Sequence, residues 1–232
     1  MIPIRDSTRS RTTPYVNITI IVVNVLIYLY QSLLTRTELL ALYLRYAVIP
    51  ARYTQMGGLL GGELGAAALT PLFSAVFLHG GWLHLGGNML YLWVFGDNVE
   101  DRMGHGRYLV FYLLAGLISN LVHVYANPAS NLPTIGASGA VAGVLGAYLL
   151  TFPRARVLAL VPLGIFLHLA ELPALLFLFG WFFLQFLNGV LTLGVASAQT
   201  GGVAWWAHIG GFLAGMAMVP LFRRRSRTRP HR

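Results

Sequence analysis

The stretch GASGAVAGVLGAYLLT, residues 136–151, contains no charged group and is small-residue or apolar on every face. A helix that is apolar all round belongs inside a bundle or a membrane. From Ser138 to Thr151 it is 14 residues, about 21 Å at 1.5 Å per residue. That is shorter than the roughly 30 Å hydrocarbon core of a bilayer. Its N-terminus is therefore expected to start below the surface, with first-turn N–H groups unpaired and the dipole positive at Ser138.

Outward from this run the chain has the same character. Of 232 residues 56% are apolar and 10% charged, and mean hydropathy is +0.67. These values exclude an ordinary soluble class and point to a polytopic membrane protein. Windows of about 20 apolar residues place six spans at roughly 17–34, 81–98, 106–126, 138–152, 171–191 and 203–222. The first is read as an uncleaved span, because its apolar run is too long for a signal h-region and no small-residue cleavage site follows. Val157–Leu169 is apolar but short and carries Pro162 and Gly164, which favours an interfacial or re-entrant connection over a seventh span.

All 16 basic residues are arginines. With the N-terminus inside, 13 of them fall on cytoplasmic segments, and only Arg36, Arg45 and Arg52 lie outside. The positive-inside rule then gives an N-in, C-in orientation and explains the +9 net charge without nucleic acid. The predicted organisation is a cytoplasmic segment 1–16, an all-α six-span domain 17–222 and a basic tail 223–232 suited to anionic headgroups. Loop 35–80 is long and holds Tyr43, Tyr46, Leu72 and Phe73. It is expected to fold back into the membrane interface, with Gly57–Gly65 as its flexible part. Cysteine is absent, so thiolate metal sites and a cysteine nucleophile are excluded. No H-E-x-x-H pattern is present, and neither metal nor cofactor is expected.

Polar side chains inside a span are functional candidates by default. His84 and Asn88 stand one turn apart in the second span, Ser138 opens the fourth, and His208 lies early in the sixth. In the N-in orientation these three spans run from outside to inside, so all four residues share one depth near the outer surface. Gly139 with Gly143, and Gly211 with Gly215, form two G-x-x-x-G patterns that let the fourth and sixth helices approach closely. Ser138 and His208 flank those glycines, which suits imidazole to take the serine proton. None of the seven acids falls at the outer ends of these spans, so a Ser–His dyad is inferred in place of a triad. Asn88 and His84 suit donation to an oxyanion beside the Ser138 amide.

These motifs, His84-Leu-Gly-Gly-Asn88 for H-x-x-x-N, Gly136-Ala-Ser138-Gly139 for G-x-S-G and Ala207-His208-Ile-Gly-Gly211 for A-H-x-x-G, together resemble the rhomboid family of intramembrane serine proteases. The resemblance implies Ser138 as nucleophile, His208 as base and His84 with Asn88 as oxyanion stabilisers. It also implies transmembrane proteins as substrates. The positive-inside pattern and the absence of a transit peptide fit the bacterial inner membrane as location. The segment 99–104, with Glu100 and Arg102, resembles the family's cytoplasmic E-x-R-x-x-G turn, which implies a structural role for both residues. Ala142 stands where some bacterial members carry a tyrosine that stacks on the catalytic histidine, and the Trp-Arg pair of some members' first loop has no counterpart near Leu69-Thr70-Pro71. The alternative is a non-catalytic relative that binds membrane segments; such relatives usually lose the serine or histidine, and both are present here.

Overall fold

The computed structural model describes residues 1–55, 69–163, 166–192 and 203–224. Each apolar window coincides with a helix: α1 (Tyr15–Leu33), α5 (Trp82–Met103), α6 (His105–Ala126), α7 (Ser138–Thr151), α8 (Ala174–Leu191) and α9 (Trp205–Phe222). Helix α5 runs past its window to Met103. Four helices, α1, α6, α8 and α9, are long and apolar enough by length and composition to cross a membrane. The first loop folds into α2 (Arg36–Tyr46), α3 (Pro50–Gln55) and α4 (Leu69–Ser74). The Gly57–Gly65 stretch and the tail beyond Arg224 lie outside the described residues.

Helix α7 is the axis of the molecule. Every residue from Gly139 to Leu149 is buried, and α5, α6, α8 and α9 pack around it. The closest pairing is α7 with α9. A Cβ built on Gly211 would lie 2.0 Å from the carbonyl oxygen of Gly139, and one on Gly215 would lie 2.0 Å from that of Gly143. Glycine at these positions is what permits backbone-to-backbone contact. Conversely, α1 and α8 expose Leu26, Leu33, Phe179 and Phe183, leucines and phenylalanines that an aqueous surface has no use for.

The all-α expectation needs correction. A three-stranded antiparallel sheet in the order β1-β2-β3 joins β1 (Ile2–Asp6), β2 (Arg156–Leu163) and β3 (Phe166–Pro173). The segment read as an interfacial or re-entrant connection is thus a hairpin, with β1 added along its open edge from Ile2↔Leu160 to Asp6↔Val157. Pro162 lies beyond the β1 pairing, where β2 meets only β3 and the missing N–H costs no ladder bond on the β1 side. Within this sheet Glu171 pairs with Arg156, Nε to Oε1 3.1 Å. Cross-strand partners override neighbours along the chain because alternate residues of a strand face opposite sides.

Glu100 ties the N-terminus of α1 to the end of α5. Its carboxylate is fully buried and accepts from the backbone N–H of Val16 at 3.0 Å and of Asn17 at 2.7 Å, with His105 Nδ1 at 2.5 Å. Pro14 at the cap position supplies no side-chain bond, so Glu100 caps α1 from a distant segment and places negative charge at the helix's positive end. Glu100→Ala is expected to destabilise the protein by about 2–4 kcal/mol, because two buried amides lose their acceptor. A melting temperature within 1 °C of the parent's would remove Glu100 from this role. Arg102, its companion in the sequence motif, forms no ion pair with Glu100 and lies exposed across the Phe152 ring at 5.3 Å.

Candidate active site

Four helices, α5, α7, α8 and α9, converge on one cavity of about 220 Å³, whose lining includes His84, Asn88, Ser138, Trp181, Gln185 and His208. Ser138 is the first residue of α7. The turn before it depends on Gly136, which has φ +126° and leaves no room for a side chain: a Cβ there would lie 2.7 Å from the His84 ring. The Gly136 N–H is tied to the carbonyl of Ala75 at 2.9 Å, and the first amide of α7 with a bond inside the helix is that of Val141, to Ala137. The amides of Ser138, Gly139 and Ala140 precede it, leaving open donors beside the serine hydroxyl.

His208, on the first turn of α9, places Nε2 2.8 Å from Ser138 Oγ. Its Nδ1 is 2.8 Å from Oε1 of Gln185 on α8. Gln185 is itself oriented, since its Nε2 donates to the Trp181 carbonyl at 3.3 Å, which turns the amide oxygen towards the imidazole. The Nδ1 therefore carries the proton and Nε2 is left as the acceptor facing the serine, the tautomer a general base requires. The indoles of Trp181, at 6.0 Å and 36°, and Trp205, at 6.2 Å and 88°, flank the ring. Aromatic packing on His208 comes from α8 and α9, where Ala142 offers none.

His84 and Asn88 face the same cavity from α5. The Gly80 N–H approaches His84 Nδ1 at 3.4 Å, which leaves Nε2–H as the donor on the side of Gly136. Asn88 Nδ2 gives one hydrogen to the His84 carbonyl at 2.9 Å and retains another. His79, just before α5, is fully buried; its N–H donates to Gln31 Oε1 and its carbonyl accepts from Gln31 Nε2, both at 3.1 Å. Burial, with His84 beside it, pushes its pKa down to about 4, so it stands neutral at the margin of the site. No cluster of three or more metal-ligating side chains occurs among the described residues.

The first loop is held without a Trp-Arg pair. Val48 and Thr134 exchange backbone bonds of 3.1 and 2.7 Å, Asn120 Nδ2 donates to the Leu72 carbonyl at 2.8 Å, and Tyr43 Oη donates to the His79 carbonyl at 3.2 Å.

Sequence reading thus named Ser138, His208, His84 and Asn88, and all four line this cavity. It missed Gln185. The signal was available, since a lone glutamine in the apolar window 171–191 is costly unless it has a partner.

Comparison with known proteins places the chain in a family. A rhomboid domain profile matches residues 66–225. The mitochondrial presenilin-associated rhomboid-like protein of mouse is 29% identical over 155 residues, covering 63% of this chain and 36% of that protein. Rhomboid protein 1 of yeast mitochondria is 33% identical over 94 residues, 39% of this chain and 27% of its own. Rhomboid protease GluP of Bacillus subtilis is 42% identical over 78 residues, 34% and 15% respectively. The chain spans little more than a third of the length of the presenilin-associated rhomboid-like proteins it matches. With the domain match covering well over half of its residues and its helices apolar enough to enter a bilayer, the chain is an integral membrane protein that belongs to the rhomboid family.

Proposed function

We propose that this protein is an intramembrane serine endopeptidase that hydrolyses peptide bonds in or near transmembrane segments of its substrates. The observation that carries the reading is the 2.8 Å contact between His208 Nε2 and Ser138 Oγ inside a cavity lined by hydrogen-bond donors. In this reading α1, α5, α6, α7, α8 and α9 are the six spans of a catalytic domain over residues 17–222. Residues 1–16 and the basic tail 223–232 lie in the cytoplasm, and the membrane is a bacterial cytoplasmic one. The arginine distribution supports that orientation, and one relative is named a protease.

Ser138 Oγ attacks the scissile carbonyl carbon as its proton passes to His208 Nε2. The carbonyl π electrons move to oxygen, and that oxyanion receives hydrogen bonds from the Ser138 amide, His84 Nε2–H and Asn88 Nδ2–H. Collapse expels the amine, which takes the proton back from His208, and leaves an acyl-serine. Water, deprotonated by the same nitrogen, then releases the acid and regenerates the serine. No cofactor enters any step. Gln185 is a positioning residue: accepting from Nδ1–H, it holds the tautomer and stabilises the imidazolium formed in both halves of the reaction.

Fluorophosphonate labelling of the detergent-purified protein tests this reading without knowledge of the substrate. Label on the wild type, lost in both Ser138→Ala and His208→Ala, is the expected result. A folded wild type that takes no label and cleaves no reconstituted transmembrane substrate would overturn it in favour of a non-catalytic, segment-binding protein. In the same assay Gln185→Leu is expected to lower the labelling rate about 10–100-fold at unchanged melting temperature, less than the ~10⁴ lost with a charged triad member, because a neutral amide stabilises imidazolium less. Gln185→Glu, which keeps the acceptor, is expected to restore most of the rate. Equal rates for all three proteins would remove the residue from the mechanism.

A further inference from the structure

At the end of α7 opposite Ser138 lies a second cavity, of about 350 Å³, that the proteolytic reading does not use. Four arginines from three parts of the chain line it: Arg9 and Arg11 from the segment after β1, Arg102 from the end of α5, and Arg224 after α9. Two of the guanidinium groups are set in place. Arg102 lies over the Phe152 ring at 5.3 Å. Arg224 donates its backbone N–H to the Arg102 carbonyl at 2.9 Å, and its guanidinium fills the space beside Gly104, where a Cβ would come within 2.1 Å of it. Gly104 also has φ +82°, so conformation and space both call for glycine there.

A single carboxylate, Asp101, stands against four arginines in this lining, which leaves it strongly positive. Among the described residues none of the four arginines is in an ion pair, and Asp101, the acid on the cavity wall, accepts a bond of 2.7 Å from Thr12. The inside rule for positive charge accounts for arginines at this end of the molecule, but not for their convergence. Like charges gathered around one concavity repel, and a multivalent anion is what offsets that repulsion. Guanidinium forks match phosphate oxygens in charge and geometry.

We propose that this cavity binds a phosphate group, presented either by an anionic phospholipid headgroup or by a free phosphate, at the face of the protein remote from the dyad. The test is thermal unfolding of the 232-residue protein in dodecylmaltoside, titrated separately with dioleoylphosphatidylglycerol, with dioleoylphosphatidylcholine and with inorganic phosphate. Saturable stabilisation by phosphatidylglycerol or by phosphate is expected. The midpoint should move about 30-fold higher in Arg102→Gln/Arg224→Gln, on the scale of two lost surface charges. In Arg107→Gln/Arg154→Gln, which removes the same charge at the same end but outside the cavity, it should stay within threefold. Saturation with the lipid alone assigns the headgroup; saturation with inorganic phosphate as well assigns a site for the phosphate itself. Equal loss in the two double variants, equal effects of the two lipids, or no saturable response in the wild type would each overturn the proposal. If Arg102→Gln/Arg224→Gln does not fold, Arg9→Gln/Arg11→Gln reads the same loss from the other wall. Fluorophosphonate labelling of Ser138 is expected to be the same in all of these variants without added ligand, so failure of this site and failure of the proteolytic reading are separate results.

Discussion

Ser138→Ala is expected to reduce cleavage of a reconstituted transmembrane substrate by about 10⁴–10⁶-fold, to background, while changing stability by no more than about 1 kcal/mol. The two numbers differ because they measure different things. Stability loses one side-chain hydrogen bond to His208 and gains no cavity larger than an oxygen atom, a change on the order of 1 kcal/mol. Catalysis loses the atom that forms the covalent bond, and what survives is only the contribution of the oxyanion donors and of binding. His208→Ala is expected to match it within about tenfold, and the double variant to be no worse than either single one, because a nucleophile and its base act as a unit. Cleavage that persists in Ser138→Ala, or two single losses that multiply in the double variant, would show that the serine and histidine do not share one reaction coordinate.

How the site could be read from sequence follows from the cost of polar groups in an apolar chain. Ser138, His208, His84 and Asn88 stood out because each interrupts a span, and because three helices carried them at one depth. Gln185 escaped because the third partner of a Ser–His pair was sought among carboxylates, and none was in range. The structure satisfies His208 Nδ1 with a neutral amide instead. In a low-dielectric site that choice avoids burying a charge, and the identity of the acceptor was open until α8 was placed against α9.

The fold divided in the same way. Helix positions followed from apolar length. The sheet did not, since residues 156–173 are rich in leucine with few β-branched side chains, and Pro162 and Gly164 mark a broken span as readily as a hairpin. Its third strand begins at Ile2 and pairs with residues more than 150 positions away. No local pattern encodes so distant a partner. Glu100 is similar: its motif marked it as structural, but capping the first turn of α1, more than 80 residues earlier, becomes visible only once the two helices are side by side.

Gly211→Ala is expected to cost about 2–4 kcal/mol and to slow fluorophosphonate labelling at least tenfold, from the addition of one methyl group. The new Cβ would lie 2.0 Å from the Gly139 carbonyl oxygen and 3.3 Å from its Cα. These are backbone atoms of the central helix and have no rotamer to escape into, so α9 must move outward, with the strain typical of an overpacked core. Both ends of the displaced contact belong to the dyad: Gly139 follows Ser138, and Gly211 lies three residues after His208. A shift of about 1 Å there takes Nε2 and Oγ out of hydrogen-bond range. Gly215→Ala meets the Gly143 carbonyl at the same 2.0 Å, but one turn further from the dyad. It is expected to lower the melting temperature comparably and to lose less labelling. Gly86→Ala supplies the control, since a Cβ there meets nothing within 4 Å and helix propensity favours alanine by about 0.5–1 kcal/mol. If Gly211→Ala melted and labelled like Gly86→Ala, the α7–α9 contact would not be what sets the distance between serine and histidine.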